Sequence, residues 1–368
     1  MDKNCYYFHT KDLSVGYKGR PLIRDISIGL HKGEILTLIG PNGSGKSTIL
    51  KSITKHLQAI AGDSFVEEIS VKSLSYKELS KKMAVVLTER LRPEMMSCRD
   101  IVSTGRYPYT GTMGILSEED KKIVDEALQK VHGEDLSDRD FLSISDGQKQ
   151  RILLARAICQ KPEIIILDEP TSFLDIKHKL ELLTILRQMA KDENITVIMS
   201  LHEIDLAQKI SDKIMCVKGE MIENFGTPKE IFTKEIITSL YEIEEGAYNI
   251  SFGSVELPKP VGEAKTFVIS SCGSGIEVFR NLQKEKIPFY CGIIYENDLD
   301  YSVAGSLATE VVTATPFEEI TDEQYARAIK LIDLCDHVIK TDFPIGKSNK
   351  RIEDLVKYAE TKDILECR

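Results

Sequence analysis

The chain has 368 residues, 42% hydrophobic and 29% charged, with a net charge of −10 and a pI near 5.4. That length points to about two domains, and the balance excludes a wholly disordered or fibrous chain. The acidic surplus excludes a general nucleic-acid binder, because phosphate attraction needs an excess of Lys and Arg. No apolar run reaches the roughly 20 residues that span a bilayer, and residues 1–10 lack a signal-peptide core. Eight cysteines are scattered as Cys5, Cys98, Cys159, Cys216, Cys272, Cys291, Cys335 and Cys367, none in a CxxC pair. Reduced thiols in a cytoplasm are expected rather than disulfides or a zinc site.

In chain order, residues 34–39 read as a short buried strand, and Ile49, Leu50, Ile53 and Leu57 follow at helical spacing. A polar, mostly helical stretch covers 97–141, within which 118–131 carries one apolar stripe. Residues 164–167 and 196–201 are aliphatic runs of the kind buried on both faces of a parallel sheet. From 244 to 265 the pattern is broken by Gly246, Gly253, Pro258, Pro260 and Gly262, so a linker is expected there. A second strand–helix alternation follows. Strands are expected at 266–271, 288–294, 310–315 and 337–341, with helices at 276–284, 303–308, 322–334 and 349–360. This predicts a small Rossmann-like sheet of about four parallel strands.

Three motifs carry chemistry. Gly40-Pro41-Asn42-Gly43-Ser44-Gly45-Lys46-Ser47, followed by Thr48, fits GxxxxGK[ST] between a strand and a helix. In that context backbone N–H groups and the helix N-terminus cradle phosphates, Lys46 reaches the β- and γ-phosphates, and Ser47 offers a hydroxyl to Mg²⁺. The run from Ile164 to Leu167 delivers Asp168 and Glu169 to the end of a buried strand. Asp168 is expected to hold Mg²⁺ and Glu169 to polarise the attacking water. Between these motifs lies Ile144-Ser145-Asp146-Gly147-Gln148-Lys149-Gln150-Arg151.

That last stretch resembles the LSGGQxQR signature of ABC transporter ATPases, over roughly residues 7–241. Tyr17 resembles the aromatic residue that stacks on adenine, residues 172–175 the D-loop, and His202 the switch histidine at the γ-phosphate. The resemblance implies an α/β P-loop ATPase domain at 1–243 with a helical subdomain at about 95–145. A linker at 244–264 and a Rossmann-like accessory domain at 265–368 would follow. It further implies ATP and Mg²⁺ as ligands and a head-to-tail homodimer in which Ser145, Gly147 and Gln148 act on the partner's ATP. Separate transmembrane permease subunits, an extracytoplasmic substrate-binding protein and a place at the cytoplasmic face of the membrane complete the expectation.

The segment Arg106-Tyr107-Pro108-Tyr109 resembles one in importers of iron–siderophores, haem and cobalamin. Two positions depart from the family pattern. Glu89 stands where a Gln is usual and is expected near the metal, and Asp146 replaces a glycine. A soluble ABC ATPase outside transport, and a weakly hydrolysing regulatory protein, are the alternative readings. In the second domain, Ser270–Gly275 gives only a GxG, with Glu296, Asp298 and Asp300 after the next strand. Any ligand there is expected near Gly273, Gly275 and Glu296.

Overall fold

The structure is a computed structural model, and it describes residues 6–87, 93–111, 114–243, 247–249 and 254–367. It separates into two compact units, Met1–Thr233 and Lys234–Arg368.

The first unit opens with the antiparallel strands β1 (Phe8–Tyr17), β2 (Arg20–Ile26) and β3 (Gly29–Leu30). Then come β4 (Ile35–Ile39), α1 (Lys46–Ile53), β5 (Ala61–Val66), β6 (Ile69–Ser70), α2 (Tyr76–Lys82) and β7 (Met83–Val86). Three helices follow, α3 (Cys98–Ser103), α4 (Glu118–Lys130) and α5 (Asp146–Cys159), and α5 packs against the other two. The chain returns through β8 (Ile164–Leu167), α6 (Ile176–Glu193), β9 (Thr196–Ser200), α7 (Ile204–Ile210), β10 (Lys213–Lys218), β11 (Met221–Gly226) and α8 (Pro228–Ile231).

Two sheets result. One is antiparallel, ordered β2-β1-β5-β6 with β3 on β1, and the sequence pattern does not announce it. Its strands mix charged and apolar residues, and β1 changes register between Leu13 and Val15, so no clean period of two survives. The other sheet is ordered β11-β10-β4-β9-β8-β7 and is parallel apart from β11. All five residues of β4, all four of β8 and all five of β9 are buried, which is why β8 reads as an unbroken aliphatic run and β4 and β9 as mostly apolar ones. A shared core of Phe8, Leu13, Val15, Leu36, Leu38, Ile49 and Ile166 joins the two sheets. Tyr7 adds a polar tie, its hydroxyl donating to Glu163 at 2.5 Å. Burial and the Glu163 charge hold that hydroxyl well above the ordinary tyrosine range, so it remains a donor.

The second unit contains α9 (Lys234–Tyr241), so the division falls one helix earlier than the sequence pattern suggests. The expected linker carries two short antiparallel strands, β12 (Ala247–Asn249) and β13 (Ser254–Glu256). Glu256 is buried and pairs with Arg280, which ties this segment to the body of the unit. Then come β14 (Thr266–Ile269), α10 (Ile276–Lys284), β15 (Phe289–Tyr295), α11 (Leu299–Leu307), β16 (Glu310–Ala314), α12 (Asp322–Ile332), β17 (His337–Lys340), α13 (Arg351–Thr361) and β18 (Leu365–Cys367). The sheet is wholly parallel, ordered β16-β15-β14-β17-β18, with five strands where about four were expected. The additional strand is three residues long and half exposed, too short and polar to stand out in sequence. Phe279, Leu282, Val303 and Leu307 of α10 and α11 pack with Val268 on one face. Leu331, Ile332, Ile352 and Leu355 of α12 and α13 pack with Phe267 and Ile269 on the other.

The importer-like segment has a structural role in the helical region. Arg106 is 6% exposed and donates through Nε to Asp120 at 2.7 Å and through Nη1 to the Cys159 carbonyl at 3.0 Å. It thereby ties α4 to the end of α5, while Asp120 also caps α4 through Ser117. The Ser117 and Arg106 hydrogen bonds hold the Asp120 carboxyl down at about 2. An unfolded Asp titrates near 3.9, so this stabilisation is complete above about pH 4 and is lost as pH falls toward 2. Arg106→Ala strands a buried carboxylate and is expected to cost roughly 3–5 kcal/mol, read as a lowered midpoint in chemical denaturation. The acid limb of the parent's stability curve should flatten in the variant.

Candidate nucleotide site

The parallel sheet brings the chemistry together. β4 and β8 both flank β9, so the loop after β4 and the carboxylates after β8 emerge at the same sheet edge. The β4–α1 loop turns back through Gly43 at φ +77°, a left-handed backbone that glycine adopts without strain. Gly40 has a second constraint, since a Cβ there would lie 2.2 Å from the Val217 carbonyl oxygen. Lys46 Nζ donates to the Gly40 and Pro41 carbonyls at 2.8 and 2.9 Å, closing the loop on itself. Burial lowers the Lys46 pKa, and Glu169 and Asp168 pull it back up. Ser44 Oγ is buried without a hydrogen-bond partner among the described residues, a polar atom left for a ligand.

The carboxylates form a continuous chain of hydrogen bonds. Asp168 is 2% exposed, and its Oδ1 accepts from the Ser47 hydroxyl at 2.9 Å and from the Ser200 hydroxyl at 2.8 Å. Ser200 Oγ in turn accepts the Glu169 N–H at 2.9 Å. Glu169 sits in the left-handed region at φ +49°, and its Oε1 meets His202 Nε2 at 2.6 Å while Oε2 accepts from Ser172. The hydrogen bonds with Ser200 and Ser172 and the contact with His202 hold this uncommon backbone conformation in place. Tyr17 is 52% exposed, and its hydroxyl shares a 3.3 Å hydrogen bond with Thr48. A loop with an orphan hydroxyl, a lysine and a Ser–Asp pair suits a nucleotide triphosphate with its divalent cation.

Residues 23–172 match the model of the ABC transporter family. An uncharacterized ABC transporter ATP-binding protein of Methanocaldococcus jannaschii is 42% identical, over 77% of this chain and 98% of that relative. The chain belongs to the ABC transporter ATP-binding proteins. This ABC ATPase is also 34% identical to the iron(3+)-hydroxamate import ATP-binding protein of Bacillus subtilis, over 64% of this chain and 87% of the other. A solved inward-facing putative metal-chelate type ABC transporter superposes with a TM-score of 0.57 at 29% identity, covering 64% of this chain and 88% of that one. Residues 289–366 match the model of a different family, described as the MJ0874 family. The ABC ATPase fold read from the motifs is therefore borne out, and ATP is the nucleotide that this family binds and hydrolyses.

The stretch that resembles the family signature lies at the start of α5. Ser145 caps the helix, accepting from the Gln148 N–H, while Gln148 Oε1 accepts the Ser145 N–H. Gly147 faces Leu174, whose side chain would lie 3.4 Å from a Cβ at that position. Asp146 is the first helical residue and pairs with Lys149 at 3.4 Å. Asp175 caps α6 and pairs with His178. Glu89 falls outside the described residues. Among the described residues no group of three or more His, Cys, Asp or Glu side chains is arranged to hold a metal ion, and no helix is long and apolar enough to cross a membrane.

Ser200 is the site residue that the motifs do not reveal. It ends a plain aliphatic strand, and only the pairing of β9 with β8 sets it beside Asp168 and Glu169. Ser200→Ala leaves the Glu169 N–H without its acceptor, at a cost of about 1–3 kcal/mol in stability. It is also expected to lower kcat for ATP about tenfold with little change in KM, equivalent to about 1.4 kcal/mol at the transition state. Steady-state kinetics of the folded variant checks this.

Proposed function

We propose that this chain is the ATP-hydrolysing subunit of an importer for a metal chelate of the iron–siderophore, haem or cobalamin class. Two copies would face each other head to tail at the cytoplasmic side of a membrane, beneath separate permease subunits fed by an extracytoplasmic binding protein. The relatives named for iron-hydroxamate import and metal-chelate transport support the cargo class. The observation that carries the catalytic reading is the continuous chain from Ser47 through Asp168 and Ser200 to Glu169 and His202.

In this reading Lys46 exchanges its carbonyl partners for the β- and γ-phosphate oxygens, and the orphan Ser44 hydroxyl finds a phosphate acceptor. Tyr17 stacks on the adenine. Ser47 and Asp168 would hold Mg²⁺, with Glu89 as a further candidate. When bound, that ion neutralises the phosphate charge and favours the β–γ cleavage. Glu169 takes the proton from the water that attacks the γ-phosphorus, and the bond to the β–γ bridging oxygen breaks to give ADP and phosphate. His202 orients Glu169 and reaches the γ-phosphate. Ser145, Gly147 and Gln148 would close over the nucleotide held by the partner, with the α5 N-terminus directed at its γ-phosphate. Lys149 partly offsets the Asp146 charge, which favours an active ATPase over the weakly hydrolysing reading.

Glu169→Gln removes the base and keeps the shape. It is expected to bind ATP, lose about 10²–10⁴ in hydrolysis rate and accumulate as an ATP-bound dimer on size-exclusion chromatography. Near-parental turnover would overturn the assignment. Every residue assigned to ATP chemistry precedes Lys234. A chain ending at Thr233 is therefore expected to fold and hydrolyse ATP at the basal rate, while its response to the permease changes. Insolubility of that chain would place the second unit within the ATPase core.

A further inference from the structure

The strand order of the second unit reverses between β14 and β17, with α10 and α11 on one face and α12 and α13 on the other. Chains in doubly wound sheets part at such a point and leave a crevice beyond the strand ends. Here the crevice is a cavity of about 540 Å³, walled by the segments that follow β14, β15, β16 and β17. That volume lies within the roughly 300–1,000 Å³ of small-molecule sites. The Tyr295 hydroxyl lies within hydrogen-bond distance of the Glu318 carbonyl at 2.9 Å and the Ser348 carbonyl at 2.8 Å, its single proton shared between them, which brings two of the walls together. The cavity is therefore formed before any ligand arrives.

Its chemistry excludes the anion that such crevices often hold. The Gly275 N–H at the start of α10 donates to both oxygens of Asp300 at 3.1 Å, and Asp300 is fully buried. The Cys272 N–H donates to Asp298 Oδ2 at 2.8 Å, and that oxygen also accepts from the Ser271 hydroxyl at 2.6 Å. Two protein carboxylates thus occupy the amides that a pyrophosphate would need. Among the described residues that line the cavity Asp298 is the only charged one, so no Lys or Arg of that lining compensates a phosphate. A ligand was expected near Gly273, Gly275 and Glu296, and the cavity lies beside them, lined by their neighbours Cys272 and Asn297 rather than by those three residues. Gly275 is a packing position, where a Cβ would lie 2.3 Å from Ser270 Oγ, and neither glycine lines the cavity.

Apart from Asp298, the cavity offers the aromatic ring of Phe317, the apolar side chains of Leu299, Pro344 and Ile345, and neutral polar groups. Phe317 is 91% exposed and is held at φ +66°, a backbone conformation rare for a bulky side chain. Asn297 carries an exposed amide with no partner among the described residues, and Cys272 presents an exposed thiol. An exposed aromatic face beside uncharged donors and acceptors suits a heteroaromatic ring bearing hydroxyl groups. We propose that this cavity binds a free, unphosphorylated nucleoside, with the base on Phe317 and the sugar hydroxyls toward Asn297 and the Cys272 segment.

The test uses the full chain with its ATP site saturated by a non-hydrolysable ATP analogue, so that only the second unit is open to the probe. Adenosine and guanosine are titrated against alkylation of Cys272 by iodoacetamide, followed by peptide mass analysis. Cys367, the other exposed thiol among the described residues, is the internal control. At least one nucleoside is expected to slow Cys272 alkylation about tenfold at saturation and leave Cys367 unchanged, with AMP binding about tenfold or more weakly. Phe317→Ala and Asn297→Ala, both at exposed positions, should each raise the half-protecting concentration about tenfold. The proposal is overturned by no protection from either nucleoside up to about 1 mM. It is equally overturned by AMP protecting as well as the nucleoside, or by folded Phe317→Ala behaving as the parent.

Discussion

One carboxylate oxygen organises the nucleotide site. Asp168 Oδ1 accepts the Ser47 hydroxyl from the phosphate loop and the Ser200 hydroxyl from the neighbouring strand. It can do so because β8 lies beside β9 and β9 beside β4 in one parallel sheet, which aligns three strand ends. A buried carboxylate without such partners would be protonated or would destabilise the fold. The same hydrogen bonds that make the charge tolerable fix its position, and through Ser200 they fix the Glu169 backbone as well. In the proposed mechanism the ATP chemistry and the stability of the sheet edge therefore rest on the same contacts.

The helical region follows a related logic with a different outcome. Arg106 and Asp120 are buried together, and each also satisfies a backbone group: Arg106 the Cys159 carbonyl, Asp120 the Ser117 N–H. The pair joins elements far apart in sequence and keeps α5 in place behind the signature. The likeness of residues 106–109 to an importer segment thus has a structural basis within this chain. Tyr109 extends it by donating to the Gln160 carbonyl at 3.0 Å, with its ring 4.0 Å from the Arg106 guanidinium carbon.

The second unit uses carboxylates to opposite effect. Asp298 and Asp300 occupy loop amides at the start of α10 that would otherwise attract an anion. Burial raises the Asp300 pKa, as expected for a carboxyl enclosed without a cation, and the Gly275 N–H counters part of that cost. A glycine pair that resembles half of a dinucleotide fingerprint is thereby turned into a packing element. Cys291 is buried in the same unit, whereas Cys272 reaches the surface.

The sequence by itself determined the ATPase. A phosphate loop, a carboxylate pair after an aliphatic strand and the signature-like stretch between them are local, so each can be recognised from residues adjacent in the chain. It also showed the parallel strands, because burial on both faces leaves a continuous aliphatic run. It did not show the antiparallel sheet at the start, whose mixed faces and register shift erase the alternation, nor the short β18. Ser200, the Arg106–Asp120 pair and the plugging of α10 by Asp300 were decided by tertiary structure alone. Each joins residues that lie 14 to 32 positions apart along the chain. Such a pairing leaves no periodic trace in sequence, because a hydrogen bond constrains two positions in space and nothing in between.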